Sequence, residues 1–349
     1  MNSLKKVEFF GKNLEENNPP FIVAEIGFNH NGDVNLAKTM MESARKNGAD
    51  AVKLQTFIGE EIISKTFLAD DPDNPGRKIP LYEFFKRYEL EREDYGELFK
   101  FAEKSDIPLF STPFDEASLD MLVELGCPAV KVASCDLTHH PFLRQVARKK
   151  LPVVLSTGMG NLDEVEMALA IFRKENNHQV ILLHCVSNYP SSYEEMNLRC
   201  LPVMRERFGV PVGFSDHSPD DLSSMVACSL GAVMIEKHFT IDRNLPGVDQ
   251  SISMDPDDLR NLKEVCGRVF KTLGSEIKQA QPSEIPVQKA ARRSIVAKVD
   301  MEPGCRISPE RIGIKRPGTG ISPVDLDRVL GKCVKVHVAA EQVITWEMI

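Results

Sequence analysis

Along the first two-thirds of the chain, short apolar runs alternate with longer segments whose apolar residues fall at helical spacing. Eight such runs recur, at 21–27, 51–57, 108–114, 129–134, 152–158, 180–185, 212–217 and 233–239. Each is rich in Val, Ile, Leu or Phe and too short for an ordinary helix, so each predicts a strand. Strands separated by crossover helices run parallel. Eight repeats predict a closed (β/α)8 TIM barrel. Gly48, Gly126 and Gly231 each end an amphipathic segment just before a strand, where a helix C′ position favours positive φ. Asp33 caps a predicted helix whose Val34, Leu36, Ala37, Met40, Met41 and Ala44 share a face. A helix over 256–273 closes the barrel, giving a first domain over 1–273.

The pattern then changes. Residues 274–289 hold two prolines among mixed polar residues and read as a linker. Residues 290–349 read as a small, mostly-β domain. Its strands are predicted at 294–299 and 334–338, with turns at Pro303-Gly304 and Pro317-Gly318 and a short helix ending over 328–332. About 60 residues lie near the lower limit for independent folding, so this domain is expected to lean on another surface. Within the first domain, the gap after the second run is long. Its middle, 69–78, has three Asp, two Pro and a Gly, and reads as a loop over the barrel mouth.

Barrel enzymes place their chemistry where strands end at the C-terminal face. Here those ends carry Glu25, Lys53 and Gln55, Ser111 and Thr112, Lys131 and Ser134, Ser156 and Thr157, His184, Ser215 and His217, and Glu236 and His238. That concentration predicts an enzyme. Side chains two apart on a strand share a face. Lys53 with Gln55, Ser215 with His217, and Glu236 with His238 therefore each share a face, read as the interior, and the valines and leucines beside them face the helices. His217 and His238 end adjacent strands; they suit a divalent metal, or else one is a general base and the other a hydrogen-bonded neighbour. His184 reads as a hydrogen-bonded wall residue. His30, in the loop NHNG, is either an anchor of a ligand loop or a turn residue.

Interior lysines need an anion, because desolvating an unpaired ammonium is costly. For Lys53 and Lys131 the anion is Glu25 or Glu236, or a substrate phosphate and carboxylate. Ser134, Ser156, Ser187 and Ser215 add hydroxyl donors and favour bound phosphate. Glu25 is a general base, an orienting carboxylate, or the partner of a lysine.

A formal net charge of −8 argues against a nucleic-acid surface. The polar N-terminus, 1–18, lacks the apolar core of a signal peptide, and no run is long enough for a membrane span. Eight cysteines without a CxxC pair read as reduced thiols of a cytoplasmic protein.

Taken together, these segments resemble one family. VAEIGFNHNGD at 23–33, VKLQTF at 52–57, FSTPFD at 110–115, VKVAS at 130–134, LSTGM at 155–159, LHCVSNYP at 183–190, GFSDHS at 213–218 and EKHFTIDRNLPGVD at 236–249 are similar to the sialic acid synthases. RRSIVAK at 292–298 and KRPGTGI at 315–321 resemble the antifreeze-like (SAF) domain attached to them. The resemblance implies condensation of phosphoenolpyruvate with an N-acetylated amino sugar and water, giving a sialic (nonulosonic) acid and phosphate. N-acetylmannosamine is the first acceptor to expect. It implies Mn2+, or Co2+ or Mg2+, on His217 and His238, and phosphoenolpyruvate on Lys53, Lys131, Ser134, Ser156, Ser187 and Ser215. The sugar and the reacting centre fall to Glu25, Gln55, Tyr189, Glu236 and Asp249. Arg316 would reach from the second subunit of a domain-swapped homodimer to the sugar's N-acetyl group.

Cys135 and Ser187 depart from the residues many members carry at those positions. The same resemblance leaves open diacetamido trideoxy sugars, giving legionaminate or pseudaminate, and a spore-coat polysaccharide sugar; NHNG rather than NHNQ argues against pseudaminate. Rivals of other kinds are a Schiff-base sugar-acid aldolase and a non-catalytic sugar-binding protein.

Overall fold

The computed structural model describes residues 7–71 and 74–349, without the side chains of residues 74 and 75. Two compact units emerge, Met1–Gly274 and Ser275–Ile349. In the first, eight parallel strands close on themselves: β1 (Phe21–Glu25), β2 (Ala51–Thr56), β3 (Leu109–Pro113), β4 (Val130–Val132), β5 (Val153–Ser156), β6 (Val180–Cys185), β7 (Val212–Asp216) and β8 (Met234–His238). Each pairs with its chain neighbours, and β8 pairs back onto β1. The TIM barrel read from the apolar runs is the barrel observed.

Strand alternation explains how one barrel holds an apolar floor and a polar mouth. Residues facing outward, such as Ile22, Ala24, Val52, Leu54, Val130, Leu155, Leu182 and Phe214, pack against the helices. Those facing inward at the lower level, among them Phe21, Val23, Ala51, Phe110, Ala129, Val154, Leu183 and Met234, form a separate core inside the barrel. A short antiparallel pair, Glu8–Phe9 with Lys12–Asn13, belongs to this inner core. Phe9 meets Phe21 and Phe110 edge-on at 5.4 and 5.3 Å. Two residues further along each strand the inward position turns polar, and that layer is the mouth.

The helices follow their local signals. Helix α1 (Val34–Lys46) starts where the Asp33 carboxylate accepts from the Asn35 and Leu36 amides, and it buries Ala37, Met40, Met41 and Ala44. Gly48, Gly126 and Gly231 all have positive φ, as a helix C′ residue requires. The helix Pro256–Leu273 is capped by Asp255.

Segment 69–78 departs from the loop reading. Leu68–Asp71 pairs antiparallel with Asn74–Pro80 as a hairpin. Asp and Pro mask strands in a sequence, but Ile79 is buried among aromatic residues and the Arg87 guanidinium pairs with buried Asp71 at 3.1 Å. Residues 72 and 73 of that segment, and the first six of the polar N-terminus, lie outside the described residues.

In the second unit β9 (Ser294–Ala297) pairs antiparallel with β10 (Ile312–Lys315). Ile295, Ile307, Ile312, Ile321, Val329, Val334, Val338 and Ile344 form its own core. The stretch 334–338 is not a regular strand: Val338 makes only an isolated bridge to Met301. A helix, Ile285–Ala291, occupies the end of the segment read as a linker. Among the described residues, no helix is long and apolar enough to cross a membrane.

Candidate active site

The polar layer lines a cavity of about 440 Å³ at the C-terminal ends of the strands. Strand register assembles it. Glu25 lies opposite Lys53 on β1–β2, His238 opposite Glu25 on β8–β1, Gln55 opposite Thr112 on β2–β3, and Ser215 opposite Glu236 on β7–β8. Of the residues proposed from sequence, Glu25, Lys53, Gln55, Lys131, Ser134, Ser156, Ser187, Tyr189, Ser215, His217, Glu236, His238 and Asp249 all line this one cavity. Arg316 does not belong to that set; it is exposed and follows β10 in the second unit.

The lysines and glutamates are interlocked. Lys53 Nζ pairs with Glu25 Oε2, donates to Thr112 Oγ1 at 2.9 Å, and lies 3.8 Å from Glu236 Oε1. Lys131 Nζ donates to that Glu236 oxygen at 3.0 Å, as does Ser215 Oγ at 3.2 Å. Burial alone would raise the Glu236 carboxyl, yet the Lys131 and Lys53 ammoniums hold it down to about 2. Burial, with Lys131 adding repulsion, pushes Lys53 down to about 7. Of the anions that the sequence left open for the lysines, the structure supplies the two glutamates, and the group lines the cavity.

On the β4–β6 side the ends carry small hydroxyl and thiol groups. Ser134 Oγ accepts from the Gly158 amide at 3.0 Å and contacts Cys185 Sγ at 3.1 Å. Gly158 permits this close approach. An added Cβ there would stand 2.8 Å from both Ser134 Oγ and Cys185 Sγ, and closer still to Ser187 Oγ.

His217 and His238 face each other at 5.8 Å between ring centroids, with the Tyr189 ring 4.2 Å from His217. His217 Nδ1 is held on the Val186 carbonyl at 2.8 Å, so Nδ1 carries the hydrogen and Nε2 keeps a free lone pair. Burial, then repulsion from the neighbouring imidazole, lowers His217 to about 4. Burial and Lys53 do the same to His238. Both rings are thus neutral, as metal ligands must be. Asp249 Oδ2 lies 3.8 Å from His238 Nδ1, and burial raises its carboxyl to about 6. Among the described residues, no group of three or more His, Cys, Asp or Glu side chains is arranged to hold a metal ion. The pair fits an ion whose other positions go to water or substrate.

Besides Glu25 Oε2, which pairs with Lys53, three buried atoms on cavity-lining residues have no hydrogen-bond partner among the described residues: Ser156 Oγ, Glu236 Oε2 and His238 Nδ1. Leaving such groups unsatisfied costs about 1–3 kcal/mol each. Their concentration here marks a site shaped for a polar ligand.

Two histidines fall outside the site. His184 faces the helices, its Nε2 on the Met196 carbonyl at 2.7 Å, while Cys185 takes the inward position. His30 is a buried turn residue whose Nδ1 accepts from the Gly32 amide at 3.1 Å. Sequence reasoning gave no role to Thr112 or Cys185, although strand parity points to both. Nor did it find Phe28, Phe84, Phe85 and Phe114, which line the cavity on the β1–β3 side. Phe84 and Phe85 lie on the short helix Leu81–Lys86, inside a segment with no regular apolar period.

A (β/α)8 barrel with a desolvated cluster of lysines, carboxylates, hydroxyls and neutral imidazoles at its mouth is an enzyme of the barrel class. Residues 40–278 match the NeuB family and residues 292–349 match the SAF domain. The chain belongs to the NeuB family, that of the sialic acid synthases, and carries a SAF domain. It is 39% identical over 335 residues to the N,N'-diacetyllegionaminic acid synthase of Legionella pneumophila, covering 94% of each chain. It is 34% identical to the pseudaminic acid synthase of Helicobacter pylori, covering 90% of this chain and 93% of that one. A solved N-acetylneuraminic acid synthetase from Leptospira borgpetersenii superposes with a TM-score of 0.75 at 34% identity, covering 82% of this chain and 96% of that one.

Proposed function

We propose that the protein condenses phosphoenolpyruvate with an N-acetylated amino sugar and water, forming a nonulosonic acid and inorganic phosphate, with N-acetylmannosamine as the simplest acceptor. The observation that carries this reading is the set of unpartnered buried polar atoms around two interior lysines and two neutral imidazoles. One side of the cavity is built to receive an oxyanion, and the other to hold a carbonyl oxygen.

In this reading C3 of phosphoenolpyruvate bonds to the aldehyde carbon of the open-chain sugar, and the aldehyde oxygen becomes a hydroxyl. A water oxygen bonds to C2, and the bond from C2 to the phosphate oxygen breaks, releasing phosphate with its electron pair. Lys53 and Lys131, with Ser134, Ser156, Ser187 and Ser215, neutralise the phosphate and carboxylate. Glu25, held by the Gly27 amide and by Lys53, orients the water or takes its proton. Gln55, Tyr189 and Asp249 contact the sugar. A divalent ion on His217 and His238, Mn2+ first among candidates with Co2+ or Mg2+ as alternatives, supplies Lewis-acid polarisation of the aldehyde oxygen when bound.

The similarity to the Legionella enzyme supports a second acceptor, a diacetamido trideoxy sugar. Lys53, lowered to about 7 by burial, supports a rival route, since a Schiff-base lysine needs that property. Its Nζ is instead engaged with Glu25 and Thr112, so borohydride with pyruvate should leave no adduct. Arg316 belongs to the proposal as a residue reaching the partner's site in a swapped homodimer. A phosphate-release assay with manganese tests the whole reading. Release should require phosphoenolpyruvate and an amino sugar together, and no release with any acceptor of this class would refute it.

A further inference from the structure

A charged pair lies behind the two imidazoles, on the far face of their strands. The alternation that turns Ser215 with His217 and Glu236 with His238 into the cavity turns Asp216 and Lys237 toward the helices. The register of β7 and β8 sets these two opposite each other, and Lys237 Nζ lies 3.2 Å from Asp216 Oδ2. Both are buried. None of the other six strands places a carboxylate, ammonium or guanidinium on its outward face. The pair is fully partnered. Asp216 Oδ1 accepts from the Ser218 amide at 2.8 Å, and Oδ2 accepts from the Ser224 hydroxyl at 2.5 Å. Lys237 Nζ donates to the Ser218 carbonyl at 2.7 Å and to the Asp220 carbonyl at 3.1 Å. Ser224 belongs to the helix Leu222–Ser229, which follows β7.

A buried ion pair is seldom the most stable filling for such a space, since apolar residues of similar volume often do as well or better. What it adds is direction. Its backbone partners all lie in the turn 218–220, so it ties the chain leaving His217 to the residue before His238. The two rings depend on that tie unequally. His217 is also held by Nδ1 on the Val186 carbonyl, and its own carbonyl accepts from the Ser191 amide at 2.9 Å. His238 Nδ1 has no hydrogen-bond partner among the described residues, so the placement of that ring relative to His217 rests on the backbone of β8. We propose that Asp216 and Lys237 are positioning residues for the divalent ion, holding the two strand ends so that His217 and His238 face each other as one cation site. The inference rests on the proposed reading of these imidazoles as metal ligands.

Outer partners that orient metal-binding side chains are worth about 10–100-fold in metal affinity. Manganese binding is measured on the folded full-length protein without substrate, from the electron paramagnetic resonance signal of free Mn2+. Lys237→Met keeps the apolar stem and loses the ammonium, and its Kd for Mn2+ should rise by roughly 10–100-fold. Asp216→Asn keeps the shape of the carboxylate without its charge and is the milder second variant, with a rise of roughly tenfold. Val130→Ala is the control for general loosening. It removes outward packing from β4, across the barrel from β8, and should lower Tm while leaving the Kd unchanged. An unchanged Kd in either folded variant of the pair overturns the inference and leaves the pair a part of the core alone. An equal loss of affinity in Val130→Ala also overturns it, because any weakening of the barrel would then suffice. A wild-type protein that binds no manganese overturns instead the metal reading beneath it.

Discussion

Lys131 and Lys53 share one glutamate, and their situations differ. Lys131 donates directly to Glu236 at 3.0 Å, whereas Lys53 lies 3.8 Å from it and is bound by Glu25. Lys131→Ala removes a desolvated charge, and charge-assisted hydrogen bonds contribute about 1.5–3 kcal/mol. The apparent KM for phosphoenolpyruvate should rise by roughly 10–100-fold, with a much smaller change for the sugar. A change confined to the sugar would reverse the two subsites. Lys53 adds a pH dependence. Because burial sets it at about 7 in the free enzyme, raising the pH through that value removes a positive charge, and the apparent KM for phosphoenolpyruvate should climb on the alkaline side. Residue by residue, much of this cluster was legible, because interior lysines and glutamates announce themselves by parity. Which glutamate pairs with which lysine was not legible. Register between β1 and β2, which sets Glu25 opposite Lys53, and barrel closure, which brings Lys131 of β4 to Glu236 of β8, decide it, and neither is visible in the order of residues.

At the scale of elements, the strands largely repeat one instruction: apolar outward, apolar inward at the floor, polar inward at the mouth, with His184 and the Asp216–Lys237 ion pair among the outward exceptions. That is why the eight strands could be read closely. The element bounds differ from the runs by a residue or two, as Val130–Val132 does within 129–134. The hairpin Leu68–Asp71 with Asn74–Pro80 was hidden by its Asp and Pro residues, since its support comes from Ile79 and Arg87 rather than from its own pattern. The aromatic wall escaped for a related reason. Phe84 and Phe85 gain their place only when the short helix folds back over the mouth. The turn after β5 gives a direct test. Gly158→Ala forces Ser134, Cys185 and Ser187 apart. With side chains able to shift, overpacking of this kind costs about 1–3 kcal/mol, and it should fall on phosphate binding. The expected result is a rise of roughly tenfold or more in the phosphoenolpyruvate KM, with sugar KM little changed. Unaltered kinetics would place the phosphate elsewhere.

For the whole molecule, metal and assembly are the properties to test. An ion bound only by the folded protein stabilises it by about 2.7 kcal/mol at a hundredfold excess over Kd. Manganese should therefore raise Tm in the wild type, whether or not substrate is present. His217→Ala with His238→Ala should abolish that rise, and an undiminished shift in the double variant would remove the two imidazoles as ligands. Assembly is read from mixed chains. Arg316→Ala mixed with Glu25→Ala should recover activity if one subunit's arginine serves its partner's barrel, since one site of the mixed dimer then has both residues intact. Verified mixed dimers that stay inactive would end the swapped arrangement.

The most direct test of the condensation itself is a turnover in 18O-enriched water with phosphoenolpyruvate, manganese and an N-acetylated amino sugar, followed by mass spectrometry of both products. The account predicts a sugar acid with the combined mass of the two substrates and water less phosphate, together with phosphate free of the label, because water enters at C2 and the C2–O bond breaks. Labelled phosphate, or free pyruvate in place of a lengthened sugar acid, would contradict it.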